Sequence, residues 1–163
     1  MYASVINAAS NLNPGTGAVY TLEAWVYVTD VTLGQAVLSN VTADSVGPCY
    51  KMQITTGSKL NLNTWALTGG FLDVTGSTSL SNNTWTHIAA VKRSDSSWEI
   101  YVNGVSDATS SSTRALTVTI QTGFRIGANE GGTATNTPSG SFFGGLIDDA
   151  RSRSMDSVMA RHS

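Results

Sequence analysis

The residues whose chemistry could support an active site are concentrated in one stretch, SNNTWTHIAAVKRSDSSWEIYVNGV, at residues 81–105. This stretch contains Trp85, His87, Lys92, Arg93, Asp95, Trp98 and Glu99. A histidine held by a carboxylate can act as a general base, and neighbouring charges can orient a substrate. However, His87 has no carboxylate or nucleophile close to it in the sequence, which favours a structural histidine. The charged residues fall at a predicted hairpin tip or solvent face, so the stretch predicts architecture rather than catalysis.

Carboxylate pairs of the kind that glycosidases use are also missing from the sequence pattern. A retaining glycosidase needs two carboxyl groups about 5 Å apart, which alternate residues on one strand can supply. The chain has Glu23, Glu99 and Glu130 as its glutamates, each on a different segment. No Gly-x-Ser-x-Gly elbow, HExxH pair or phosphate-binding loop is present. We therefore predict that the protein is not an enzyme.

Composition narrows the classes of partner and the location. The 163 residues suit one domain over 1–163, and Cys49 is the single cysteine, which rules out an intrachain disulfide. The net charge is −2, with no basic cluster beyond Lys92 and Arg93, so nucleic acid is not an expected partner. No apolar run is long enough for membrane insertion, and the first residues lack a signal peptide. Either the chain is used without classical secretion, or a leader or parent protein has been removed.

The elements that must position these residues are strands. In YTLEAWVYV, at 20–28, Leu22 and Val26 fall on one face and Trp25 and Tyr27 on the other. Further strands are predicted at 35–40, 49–55, 59–63, 87–93, 97–104, 116–120, 124–127 and 142–152, separated by Gly, Asn, Asp and Ser clusters. The pattern predicts an all-β sandwich or barrel, with 154–163 as the only candidate for a short helix.

Within the opening stretch, the alternation predicts two antiparallel strands joined by a polar turn. Trp98, Ile100 and Val102 share one face, and Asn103-Gly104 predicts a tight hairpin turn. We expect Trp85 to pack in the core.

Three motifs in this order resemble the laminin-G-like branch of the concanavalin A-like lectin/glucanase superfamily. The strand Trp-x-His-Ile-Ala with the YVNG hairpin is similar to one family motif. YTLEAWVYV resembles the family's early F-T-I-x-A-W-V strand, and FRIGANEGG with FFGGLIDDARS resembles its closing I-G and F-x-G-x-I-D-E-V-R segment. The matches run from about Val5 to Arg153. The resemblance implies a jelly-roll sandwich of two antiparallel sheets with ligand-binding loops at its edges.

Calcium is the cofactor that the resemblance implies, because laminin-G-like and pentraxin-like relatives often hold one. Asp148 and Asp149 match the family's I-D-E segment, and Asp148 could ligate calcium or simply accept backbone N–H bonds. Asp44, in the loop NVTADSVGP, is a second candidate ligand. The family's leading Asp-bearing strand has no counterpart here, which weighs against the metal.

A glycan would need an exposed aromatic ring on which a sugar face can stack. The rings that we consider for this role are Trp65, Trp98, Tyr50 and Phe71, although most aromatic residues of a sandwich belong to its core.

The absence of the family's leading strand predicts a bare sheet edge near residues 144–152. Exposed edges template pairing with another chain. We expect this edge to be covered either by a strand of a neighbouring copy or partner, or by the chain's own N-terminus.

Two functional interpretations follow. In the first, the protein is a structural surface component of a phage or similar particle, such as a decoration, fibre or tail-associated protein. The initiator Met, the lack of a leader and the low charge content are typical of that class. In the second, it is a carbohydrate-binding or adhesion module of a larger secreted or cell-surface protein. We favour the first, because laminin-G-like domains of the second class usually occur with a leader and neighbouring domains.

Overall fold

A computed structural model describes residues 3–6, 19–40, 49–66, 70–94, 96–111, 123–130 and 138–154. Over these ranges the chain forms strands and no helix. The strands are β1 Ala3–Ile6, β2 Tyr20–Val28, β3 Gln35–Ser39, β4 Cys49–Ile54, β5 Lys59–Ala66, β6 Gly70–Ser79, β7 Trp85–Ser94, β8 Ser97–Val102, β9 Val105–Ser111, β10 Gly123–Ile126, β11 Asn129–Glu130, β12 Pro138–Gly140 and β13 Gly145–Ser154. No membrane-spanning helix is found in this part of the chain.

The strands form two antiparallel sheets that pack face to face. One sheet has six strands in the order β1-β10-β3-β4-β5-β6, and the other has five in the order β13-β2-β7-β8-β9. Strands β11 and β12 form a separate small pair. This architecture confirms the predicted jelly-roll sandwich. The predicted strand at 116–120 and the helix candidate beyond Ser154 lie outside the described residues.

Alternation of side chains explains which residues enter the core. Along β2, Leu22 and Val26 are fully buried, whereas Trp25 is exposed on the opposite face. Along β8, Trp98 and Ile100 are fully buried, as their shared face predicted. Because side chains of a regular strand alternate with period two, a buried position fixes the direction of its neighbours up to the next bulge.

The turn after β8 has the geometry that its sequence predicted. Asn103 and Gly104 have φ angles of 51° and 77°, the two positive values that a tight hairpin turn requires. The Asn103 side-chain oxygen also accepts a hydrogen bond from the backbone N–H of His87 at 3.0 Å. Asn103 therefore fixes the turn and joins it to the neighbouring strand β7.

Two sequence-based expectations about β7 are wrong. Lys92, expected at a hairpin tip or solvent face, is fully buried, and Trp85, expected in the core, is 42% exposed. Both positions follow from the parity of the strand. Lys92 shares the inward face with Ile88 and Ala90, whereas Trp85 shares the outward face with His87. The alternation of side chains along β7, and not the polarity of each residue, decides that Lys92 is buried and Trp85 is exposed.

A pair of buried tyrosines connects the two sheets, and one of them also bonds to β13 of its own sheet. Tyr20 on β2 and Tyr50 on β4 are fully buried, with ring centroids 6.3 Å apart. The Tyr20 hydroxyl is hydrogen-bonded to Ser152 of β13. Burial raises the pKa of both tyrosines, so both hydroxyls stay protonated at neutral pH.

The sheets are also joined at one edge by Asp107 of β9. One carboxylate oxygen of Asp107 accepts hydrogen bonds from the Thr78 backbone N–H at 2.9 Å, the Thr78 hydroxyl at 2.6 Å and the Ser77 hydroxyl at 3.0 Å. Gly76 on β6 makes room for the other oxygen, since a Cβ there would lie only 1.9 Å from Asp107 Oδ2. This contact holds β6 of one sheet against β9 of the other.

Candidate functional site

Two exposed tryptophans mark the outer face of the five-stranded sheet. Trp25 on β2 and Trp85 on β7 are each 42% exposed. The antiparallel register places Trp25 opposite His87 and Tyr27 opposite Trp85. These four side chains therefore occupy two adjacent rows of neighbouring strands. We refer to Trp25, Tyr27, Trp85 and His87 as the aromatic block.

The rings of the aromatic block support one another in tilted pairs. The Trp25 and His87 ring centroids are 5.3 Å apart at an interplanar angle of 57°. Those of Tyr27 and Trp85 are 5.6 Å apart at 56°. Tilted aromatic pairs at such distances are stabilising, by about 0.5–1.5 kcal/mol beyond the area that they bury. The block is therefore held in place while part of each tryptophan remains open to solvent.

A charged cluster adjoins the aromatic block on the same face. Glu23 lies two residues before Trp25, and its carboxylate is 3.7 Å from His87 Nε2, 3.8 Å from Arg151 Nη1 and 3.5 Å from Arg153 Nε. The arginine side chains are 45% and 55% exposed. We call Glu23, Arg151 and Arg153 the Glu23 cluster. His87 thus has a carboxylate neighbour that its sequence surroundings did not predict, because the adjacent strand supplies it.

A β-bulge brings Arg151 to this face. The register of β13 against β2 shifts between Asp148, which lies opposite Trp25, and Arg151, which lies opposite Glu23. Asp149, inside this irregularity, has a positive φ of 49°. Without the extra residue, strict alternation from Asp148 would turn Arg151 toward the core. Bulges commonly re-aim side chains in this way.

A second charged group on the same face has its hydrogen bonds satisfied internally. Arg93 donates to Glu99 Oε2 from Nη2 at 2.9 Å and from Nε at 3.2 Å. Ser106 donates to the other oxygen at 2.7 Å. Hydrogen bonds from Tyr101, Ser106 and Arg93 lower the pKa of Glu99 to about 2. Glu99 is therefore ionised at neutral pH, and both of its oxygens already accept hydrogen bonds.

Two of the aromatic residues considered for sugar stacking are not accessible. Trp98 and Tyr50 are fully buried between the sheets, where no ligand can reach their ring faces. The prediction that Trp98 and Tyr50 are stacking platforms for a sugar is therefore wrong. Trp65 and Phe71 lie opposite each other on β5 and β6, and their side chains lie outside what the structure describes.

Asp148, one of the two predicted calcium ligands, and its neighbour Asp149 contact other protein groups. Asp148 Oδ1 accepts a hydrogen bond from the Asp149 backbone N–H at 2.8 Å, and Asp149 Oδ1 is 2.5 Å from Arg151 Nη2. No cluster of three or more His, Cys, Asp or Glu residues suited to a metal occurs in the ranges that the structure describes. Calcium prefers about six to eight oxygen ligands, which these two engaged carboxylates do not supply. Asp44 lies outside the described residues.

The sequence did carry a signal for the aromatic block. In YTLEAWVYV the aliphatic residues Leu22 and Val26 share one face, so Trp25 and Tyr27 must face away from the core that those residues form. The same reasoning applied to Ile88 turns Trp85 and His87 outward. The proximity of Glu23 to Arg151 carried no such signal, because it depends on pairing between distant segments and on the bulge.

Comparison with known families identifies the fold independently. The model of the family described as the concanavalin A-like lectin/glucanases superfamily matches residues 2–154. Among curated protein sequences, none matches the chain.

Several solved structures share the fold at low sequence identity. Domains LG4-5 of the mouse laminin alpha1 chain have a TM-score of 0.68 and 16% identity, over 94% of this chain and 40% of that chain. The Ruminococcus gnavus IT-sialidase CBM40, bound to alpha2,3-sialyllactose, has a TM-score of 0.66 and 13% identity, over 100% of this chain and 98% of that one. Domain 4 of the extracellular arabinanase AbnA from Geobacillus stearothermophilus, in complex with arabinotriose, has a TM-score of 0.61 and 17% identity, over 87% of this chain and 64% of that one.

Proposed function

The chain belongs to the concanavalin A-like lectin/glucanase superfamily, and we propose that it is a non-catalytic carbohydrate-binding module. Its binding surface is the outer face of the five-stranded sheet. The observation that carries this proposal is the pair of exposed tryptophans, Trp25 and Trp85, each held by a ring on the neighbouring strand. Relatives with the same fold include modules solved with sialyllactose and with arabinotriose, which supports a sugar as the ligand.

The composition of this face suits a sugar better than a purely apolar partner. A pyranose ring has an apolar C–H face that stacks on an indole and a rim of hydroxyl groups that require hydrogen bonds. The aromatic block supplies the stacking surface, and Glu23, Arg151 and Arg153 supply acceptors and donors beside it. Aromatic side chains give a large contact area at a small cost in conformational entropy, so a preformed block favours binding.

The positions of the two carboxylates on this face argue against catalysis. Glu23 lies on β2 and Glu99 on β8, and β7 separates the two strands. Glycosidases place their two carboxyl groups on opposite sides of one scissile bond. Glu99 is further occupied by its bonds to Arg93 and Ser106. We therefore propose that neither glutamate hydrolyses a bound glycan.

Affinity electrophoresis in gels containing soluble polysaccharides tests the proposed function. We expect retardation of the wild-type protein by at least one of a β-glucan, a galactan, a mannan and an arabinan. Trp25→Ala and Trp85→Ala should remove the retardation without unfolding the protein. Val105→Ser is the matched control, because Val105 is a 70% exposed apolar residue on β9 of the same sheet. Equal retardation of all four proteins would contradict the proposal.

A second candidate function is display on the surface of a phage or similar particle, through pairing of β13 with another chain. Among the described strands, β13 is paired on one side by β2 and forms the edge of its sheet. The bulge and charges between Asp148 and Arg153 oppose pairing there, so residues 144–147 are the favoured part of this edge. Hydrogen exchange on the isolated protein and on its native assembly separates the alternatives. Slow exchange at Ile147, whose backbone N–H points away from β2, in the assembly alone supports a partner strand, and equal protection in both contradicts it.

Calcium binding at Asp148 remains a proposal taken from the family resemblance. Asp148 belongs to no group of three or more His, Cys, Asp or Glu side chains among the described residues, so a site there would need further oxygen ligands, such as backbone carbonyls or Asp44. If calcium binds the folded state, it raises the melting temperature, and Asp148→Asn removes that rise. A melting temperature that is unchanged by calcium and by a chelator contradicts the proposal.

A further inference from the structure

We propose that the Glu23 cluster is the specificity-determining subsite of the sugar-binding face, and that it takes neighbouring hydroxyl groups of a neutral sugar stacked on Trp25. This inference rests on the proposed function. It adds a chemical class of ligand and assigns a role to Glu23, Arg151 and Arg153 that their ion pairs alone do not require.

The position of Glu23 suits the rim of a sugar that lies on Trp25. The two residues are alternate positions on the same face of β2, so their Cα atoms are about 7 Å apart. Across the sheet, Glu23 lies opposite Arg151 on β13 and Ala89 on β7. Ala89 in turn lies opposite Tyr101 on β8, so the smallest side chain of this row is between two larger ones. Ala89 is only 6% exposed, so the larger side chains of this row cover it.

Among the residues that the structure describes, the carboxylate of Glu23 makes only long contacts. The cationic nitrogens nearest to its carboxylate oxygens lie 3.5, 3.7 and 3.8 Å away. Good N–H···O hydrogen bonds are about 2.7–3.2 Å long, so these contacts are loose ion pairs. The carboxylate can therefore accept bonds from ligand hydroxyls. Arg153 is 55% exposed, and its contact with Glu23 is made through Nε.

A carboxylate beside a guanidinium matches a pair of adjacent sugar hydroxyls. Each hydroxyl can donate one hydrogen bond and accept another, so one hydroxyl can donate to Glu23 while its neighbour accepts from Arg153. Hydrogen bonds to charged groups are stronger than those between neutral groups, and they fall off steeply when the geometry is wrong. The pair therefore discriminates between sugars by the positions of their hydroxyls, which a stacking ring alone does not.

The charges on this face favour a neutral ligand over an acidic one. A sugar stacked on Trp25 would lie near two carboxylates. Glu23 is two residues away on the same face of β2, and Asp148 lies opposite Trp25 on β13. Asp149 is close by and occupies Arg151 through its ion pair. A ligand carboxylate would therefore meet several negative groups. Like charges in close proximity oppose binding.

The test combines substitutions with a ligand panel in the 163-residue chain. Isothermal titration measures binding of β-glucan, galactan, mannan and arabinan oligosaccharides, with polygalacturonate and hyaluronan oligosaccharides as acidic probes. The variants are Glu23→Gln, Trp25→Ala and Glu99→Gln. Glu99→Gln is the matched control, because it removes a carboxylate from the same face whose acceptors are already occupied. Melting temperatures confirm that each variant is folded.

We expect a neutral oligosaccharide to bind the wild type, Trp25→Ala to abolish binding, and Glu23→Gln to weaken it about tenfold, as loss of a charged hydrogen bond predicts. Glu99→Gln should bind like the wild type. Deoxy analogues of the bound sugar complete a double-mutant cycle. The analogue that lacks the contacted hydroxyl should bind wild type and Glu23→Gln with equal affinity.

Each other result has a distinct meaning. If Trp25→Ala abolishes binding but Glu23→Gln binds like the wild type, the subsite is refuted and the proposed function stands. If an acidic oligosaccharide binds best and Glu23→Gln strengthens it, the neutral class is refuted. If no oligosaccharide binds, or if Trp25→Ala has no effect, the proposed function fails and this inference fails with it.

Discussion

Replacing Trp98 by alanine should destabilise the fold far more than replacing Trp85. Trp98 is fully buried between the sheets, so its loss removes the whole transfer free energy and leaves a cavity, which costs about 3–5 kcal/mol. Trp85 is 42% exposed. Scaling the core cost by its covered fraction gives at most about 2–3 kcal/mol, and no closed cavity remains, so we expect about 1–2 kcal/mol. The cost expected for Trp85→Ala includes the loss of the ring contact between Trp85 and Tyr27.

Urea unfolding followed by circular dichroism, together with thermal melting, measures both variants. For a domain of this size, 1 kcal/mol corresponds to about 2–4 °C in melting temperature, so Trp98→Ala should lower it by roughly 6–20 °C and Trp85→Ala by roughly 2–8 °C. Equal losses in the two variants would refute the reasoning. Trp85 would then be buried in solution, and the outer face of the sheet could not be a free binding surface.

Three further predictions concern the architecture. Gly76→Ala should destabilise the fold by about 2–3 kcal/mol in urea unfolding, because the Cβ of the alanine would displace Asp107 from its hydrogen bonds with Thr78. A variant as stable as the wild type would contradict this prediction. Burial alone would raise the pKa of Asp107, but the hydrogen bonds from Thr78 hold it below its ordinary value, and the pKa of Glu99 is about 2. Carboxyl groups with depressed pKa values stabilise the fold above about pH 4, and this stabilisation is lost as the pH falls through their folded-state pKa values. The melting temperature should therefore decrease when the pH is lowered below about 4, and this decrease should be smaller in Asp107→Asn. Identical acid profiles would contradict this assignment. Asn103→Ala should lower the free energy of unfolding by about 1–2 kcal/mol, because alanine tolerates a positive φ poorly and offers no acceptor to the His87 N–H of β7. Asn103→Gly keeps the φ tolerance and should cost less. Urea midpoints in the reverse order would exclude this explanation.

The fold could be predicted because its information is local. The alternation in β2 and β8 and the Asn103-Gly104 turn each depend on residues adjacent in the sequence. The errors on β7 arose where residue character was weighed above parity. Trp85 was assigned to the core because tryptophan is large and apolar, and Lys92 to solvent because lysine is charged, although alternation from Ile88 places them the other way.

The candidate site was less predictable because it is assembled across strands. Glu23, His87 and Arg151 come from three distant segments, and their proximity depends on the register of β13 against β2 and of β2 against β7. The β-bulge after Asp148 decides whether Arg151 faces the outer surface of the sheet or the core, and nothing in the local sequence pattern indicates where that bulge falls. The exposed ring of Trp25, by contrast, could be found from alternation alone.

The most direct test of the central claim is to follow the indole N–H signals of the four tryptophans by NMR during titration with a bound oligosaccharide. Tryptophan-to-phenylalanine variants assign the signals. The binding face that we propose predicts large shifts for Trp25 and Trp85, which are exposed on the outer face, and little change for the buried Trp98. Shifts confined to Trp98 and Trp65, with Trp25 and Trp85 unaffected, would place the ligand elsewhere on the sandwich and would contradict the account.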